Sequence, residues 1–261
     1  MYTLDIRTLF LTLFLVNVVL TLMLFTFWRS QKTYEGFRTW MLSLLVTSCG
    51  YFLYVIGGSL PLLLSSTVAD LLIVLSVMMR LDSTGKYFRS RALPKIIYCI
   101  LIPAVLLLLW FTFRADSQIM RGVIIGMLIV PCLVATALIA IRFGEPETRS
   151  IRYGFAAALL ITAFFWTVIV VVAIITPGDH SLEGPDPINP IFFIVTILMD
   201  IVSTGSFLML NMARSQIELQ KSEDALSRAN KKLTILSSIT RHDIKNQLTA
   251  LAAYLELLKD E

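Results

Sequence analysis

The chain has 261 residues, 57% of them hydrophobic and 15% charged, with a formal net charge of +4. Soluble domains carry about 25% charge and roughly 45–50% apolar residues, and here the apolar excess is gathered into runs of about twenty, the length that crosses a bilayer. This excludes a cytosolic enzyme, a disordered chain and a secreted disulfide scaffold. The three cysteines, Cys49, Cys99 and Cys132, sit in three different apolar runs and read as small buried hydrophobes, not disulfide partners.

Seven stretches are apolar enough to predict spans: Ile6–Trp28, Phe37–Ile56, Leu60–Met79, Leu93–Phe113, Ile119–Ile141, Ile151–Thr176 and Ile188–Met212. Backbone groups in hydrocarbon must be paired within their own segment, so each is expected to be a helix, giving an all-α membrane protein. The first span has no basic stretch ahead of it, and Arg29 and Lys32 follow it, so it does not read as a cleaved signal peptide.

Charge in the connections orients the spans. Arg29, Lys32, Arg38, Arg80, Lys86, Arg89, Arg91, Lys95, Arg142, Arg149 and Arg152 fall on one side, and only Arg7, Arg114 and Arg121 on the other. The positive-inside bias then predicts a multi-pass cell-membrane protein with its N-terminus outside and its C-terminus cytoplasmic. The connection before the last span holds Asp179, His180, Glu183 and Asp186, a weak candidate for a divalent metal. Asn17, Asp70 and Asp200 fall near mid-span, where ionisable groups are costly and often functional. No Lys or Arg is expected at similar depth to pair with the two acids, so a buried polar sensing site is one reading and structural hydrogen bonding the other. Gly122-x-x-x-Gly126 permits close helix approach, expected within the bundle.

After Met212 the composition turns charged, with no Gly after Gly205 and no Pro after Pro190, so the last span is expected to continue as helix. Met212, Leu219, Leu226 and Leu233 recur every seven residues, with Ser215, Ser222, Ala229 and Leu236 between them. That predicts a modest parallel coiled coil and a homodimer. Further on, Ile244, Leu248, Leu251, Leu255 and Leu258 share one helical face. His242 points away from that face, with Asn246 one turn on and Asp243 on the flank. A solvent-facing imidazole beside a carboxylate suits phosphorylation on nitrogen.

The run His242-Asp243-x-x-Asn246 resembles the H-box of sensor histidine kinases, and Ser238–Leu251 is similar above all to archaeal, methanogen-type members. The resemblance implies that His242 accepts phosphate, that Asp243 acts as acid/base beside it, and that Asn246 positions water in the reverse reaction. It also implies a cytoplasmic response regulator as partner, and ATP with Mg supplied by a catalytic domain. No phosphate-cradling Gly loop occurs in these residues, so the chain is expected to be a sensor and phosphoacceptor segment truncated before that domain and inactive alone. The expected organisation is a transmembrane sensor over 1–212, a coiled-coil signalling helix over 213–236 and the first phosphotransfer helix over 237–261. Ile188–Met212 contains no Lys, which excludes a Schiff-base retinal in the last span. Nothing points to nucleic acid; membrane lipid is the expected surroundings. The alternatives are a seven-helix transporter or channel, or a non-kinase receptor with a helical tail.

Overall fold

The computed structural model describes residues 6–89, 92, 94–115, 117–175 and 188–259. They form seven α-helices and no strand: α1 (Ile6–Ser30), α2 (Phe37–Val55), α3 (Ala69–Arg89), α4 (Leu101–Phe113), α5 (Gln118–Arg142), α6 (Arg149–Ile175) and α7 (Ile188–Lys259). A π-helical stretch, Leu63–Val68, leads into α3, and a 3-10 stretch, Lys95–Ile100, leads into α4. Pro103 lies just after the junction of the 3-10 stretch with α4. The chain divides into two compact units, Met1–Met212 and Ala213–Glu261.

Five helical segments are long and apolar enough to cross a membrane: α1, Leu63–Arg89, Ile119–Arg142, Pro146–Ile175 and the apolar part of α7. The apolar helix Ile97–Phe113 is shorter than a full span, and α2, with Ser43, Thr47 and Ser48 on its buried side, falls outside the five. Large apolar side chains face outward along the first unit: Val19 is 62% exposed, Leu106 63% and Phe164 64%. In water such a surface would aggregate; in hydrocarbon it is the ordinary exterior. Cys49 and Cys99 also face outward and Cys132 is half-buried, all three as free thiols. The expectation of buried cysteines therefore fails for two of the three, because their helices turn those positions away from the core.

The third helix departs most from the sequence reading. It was expected to end at Met79, yet α3 runs on to Arg89. Half of its most apolar window is buried, against 22–39% for the other four membrane-length segments. An enclosed helix can carry polar side chains because neighbouring helices satisfy them, and Ser76, Arg80, Asp82, Ser83 and Thr84 are all buried. Arg80 thus belongs to the helix interior and not to a basic connection. Arg152 is likewise buried and donates to the carbonyls of Ala140 and Ile141 at the end of α5 and of Glu145 in the connection that follows. Both must be taken out of the charge count that oriented the spans. The remaining basic residues keep the same bias.

An aromatic cluster joins α2, α3, α6 and α7 within the first unit. Phe207 stacks on Trp40 with centroids 4.5 Å apart, and Phe37, Tyr87 and Phe155 surround it. Tyr87 also donates its hydroxyl to the Leu210 carbonyl at 2.8 Å. Phe37 and Trp40 reach this cluster because Gly36, at φ 92°, turns the chain into α2. That left-handed backbone suits glycine, and a Cβ there would overlap the Ser83 carbonyl oxygen. At Gly126 a Cβ would overlap the Val170 side chain, so the small residue lets α5 lie close against α6, in agreement with the expectation for Gly122-x-x-x-Gly126.

Gly36→Ala is expected to lower stability by about 1–2 kcal/mol through backbone strain alone, with a further loss from the Ser83 overlap. Thermal unfolding of the detergent-solubilised chain measures it, with Gly154→Ala, where a Cβ meets nothing within 4 Å, as the neutral control.

Candidate functional site

Two groups of polar side chains stand out, one in each unit. In the second unit the helix α7 carries Arg241, His242, Asp243 and Asn246 without interruption. The four-residue spacing brings Asn246 Nδ2 to 3.3 Å from His242 Nδ1, and Asp243 Oδ1 lies 3.5 Å from the same nitrogen. The His242 side chain is 72% exposed and that of Asp243 64%. When Nδ1 carries the proton it faces the Asp243 carboxylate as a donor; when it is bare it accepts from the Asn246 amide. Either way the neighbours act on Nδ1, and Nε2 is the ring atom available for chemistry. Leu219, Leu226, Leu233, Ile244, Leu248, Leu251 and Leu255 are exposed on the same helix.

The first unit holds the other group. Arg80 of α3 donates through Nη1 to Asp200 Oδ1 of α7 at 2.5 Å, with side chains only 7% and 10% exposed. Asn17 of α1, fully buried, lies with Nδ2 3.4 Å from Asp200 Oδ2 and donates to the Leu13 carbonyl at 3.0 Å. The Arg80 guanidinium stands 5.6 Å from the Trp40 ring centroid. Three helices are therefore tied through one carboxylate. This overturns the expectation that Asp200 has no cation at its depth. The cause is the longer α3, which carries Arg80 inward to pair with the carboxylate.

Asp70 is also buried, and its Oδ1 accepts the hydroxyl of Tyr54 from α2. Asn17 and Asp200 thus meet in one network, while Asp70 has a contact of its own. Sequence reasoning missed Arg80 and Tyr54. An Arg two turns before the end of a helix reads as a loop charge when the helix end is placed too early, and a tyrosine in an apolar run gives no sign of which acid it will meet.

Asp179, His180, Glu183 and Asp186 lie outside the described residues, and no cluster of metal-binding side chains occurs among those that are described. Compared with known protein families, with curated proteins and with solved structures, the chain matches none.

Removing one partner of a buried ion pair strands the other charge, at a cost of about 3–5 kcal/mol. Asp200→Leu and Arg80→Met are each expected to destabilise the first unit by that order, and the two combined by much less than the sum. A double-mutant cycle on thermal unfolding in detergent measures the coupling; additive losses would show that the pair is not energetically linked.

Proposed function

We propose that this chain is the sensor and phosphoacceptor segment of a membrane histidine kinase. Its N-terminus would lie outside and its tail in the cytoplasm, with the bilayer crossed seven times, the crossing at α4 taking in the helical stretch before it. The observation that carries the reading is the exposed helical surface on which His242 Nδ1 is flanked by Asn246 at 3.3 Å and Asp243 at 3.5 Å. An imidazole held through Nδ1 by a carboxylate presents Nε2 as the nucleophile, which suits attack on the γ-phosphorus of ATP with ADP departing. Asp243 would orient the ring and take up its proton. Asn246, an amide one turn away, would orient water for dephosphorylation of the response regulator. These residues contain no nucleotide-cradling Gly loop, so ATP and Mg would be bound by a catalytic domain that they do not encode.

The exposed leucines at seven-residue spacing support a homodimer through the tail. Leu219, Leu226 and Leu233 are 61%, 72% and 65% exposed, a stripe that a second copy would cover. Because α7 contributes to both units, a change in the packing of its first part is the covalent route by which a signal would reach His242. A weakly packed heptad, with serines at alternate core positions, suits an element with two arrangements of similar energy.

Fusing a compatible ATP-binding domain after the tail tests the phosphotransfer reading. The expected result is an acid-labile, base-stable phosphoryl label, lost in His242→Ala and cut at least tenfold in Asp243→Ala. A label that survives His242→Ala would overturn it. For the dimer, Leu226→Cys is expected to cross-link within the membrane-reconstituted chain under mild oxidation, whereas Glu223→Cys, outside the stripe, is expected to cross-link several-fold less.

A further inference from the structure

Three arginines at one end of the first unit lie over aromatic rings: Arg38 over Trp28 at 4.7 Å, Arg89 over Phe143 at 4.8 Å and Arg149 over Tyr153 at 5.3 Å. A guanidinium resting on a ring is held in place while its N–H edge stays free to donate. The membrane reading above puts this end in the cytoplasm, and the inference rests on that reading for the leaflet it names, not on phosphotransfer.

The three are not equivalent. Arg149 also donates through Nε to the Tyr153 hydroxyl at 3.3 Å, and Glu145 and Glu147 are exposed in the same connection. Arg38, in the first turn of α2, is exposed, and no carboxylate meets its guanidinium among the described residues. Arg29, next to Trp28 in the last turn of α1, is exposed and equally without one. Glu35, the acid of the connection between them, is exposed and pairs with neither.

Behind each of these two charges runs an apolar stripe. Leu42 and Leu45 follow Arg38 by four and seven residues, on one face of α2, and both are exposed. Phe25 and Leu22 precede Arg29 by four and seven residues, on one face of α1, and are exposed too. Arg38 lying on Trp28 joins the stripes at their charged ends. Two apolar stripes topped by two uncompensated guanidinium groups match two acyl chains topped by a phosphate. In a zwitterionic headgroup the amine cation offsets the phosphate and is itself repelled by the arginines; an anionic headgroup keeps the whole attraction.

We propose that α1 and α2 bind one anionic phospholipid of the cytoplasmic leaflet, with its phosphate at Arg29 and Arg38 and its acyl chains along Leu22, Phe25, Leu42 and Leu45.

Native mass spectrometry of the full chain in detergent, titrated with phosphatidylglycerol or phosphatidylcholine of the same acyl chains, tests this. The first phosphatidylglycerol is expected to bind about tenfold or more tightly than the first phosphatidylcholine. Arg38→Gln and Arg29→Gln are each expected to weaken phosphatidylglycerol about fivefold, the worth of one basic side chain beside an anionic headgroup. Arg149→Gln removes the same charge elsewhere at that end and is expected to change it by less than about twofold. Equal binding of the two lipids, unchanged phosphatidylglycerol binding in Arg38→Gln, or an equal loss in Arg149→Gln, the mark of a general attraction to the basic end, would overturn the proposal. Displacement of the lipid by excess glycerol 3-phosphate would do so as well, since the phosphate alone would then account for the binding. Selective lipid binding by a chain that takes no phosphate on His242 would sink the kinase reading and leave this one standing; a chain labelled on His242 that binds both lipids alike would do the reverse.

Discussion

The contact on which the first unit depends is the ion pair between Arg80 and Asp200. Apolar helix faces in lipid gain little by meeting each other instead of acyl chains, so the register between helices is set by close packing and by polar contacts. A carboxylate and a guanidinium with side chains 10% and 7% exposed leave few alternatives, because sliding α3 past α7 by one turn would strand both charges. Seven residues further along α3 comes Tyr87, whose hydroxyl holds the Leu210 carbonyl, and seven beyond Asp200 comes Phe207 in the aromatic cluster. The two helices are thus pinned twice, two turns apart, on one face of each. Trp40 serves both pins, standing near the Arg80 guanidinium and stacking on Phe207.

That arrangement ties the first part of α7 to several neighbours. Thr196 borders a small cavity, Asp200 takes the ion pair and Phe207 fills the aromatic cluster, all within about three turns. The tail, by contrast, leaves its apolar stripe open: Leu219, Leu226 and Leu233 are all exposed.

The polar residues inside the first unit fall into two kinds. Ser43, Thr47, Ser48, Thr84 and Thr136 return their hydroxyls to carbonyls three or four residues earlier on their own helices, which hides a polar group without any partner helix. Asn17, Arg80, Asp200, Tyr54 and Asp70 reach across helices. Only the second kind constrains how the helices pack, and only the second kind could respond to a ligand.

The amino-acid sequence by itself determined the helical class, the approximate places of the helices other than α3 and the passage of α7 from an apolar to a charged stretch, because those depend on the run length of apolar residues and on the absence of Gly and Pro. It also set His242, Asp243 and Asn246 together, since a spacing of three to four residues on one helix is local geometry. Tertiary structure alone decided that Arg80 belongs inside the first unit, that it meets Asp200, that Tyr54 covers Asp70, and that Arg121 shares a cavity with that acid. Partners separated by 120 residues, as Arg80 and Asp200 are, are matched by how helices pack, and no local pattern of side chains encodes that choice.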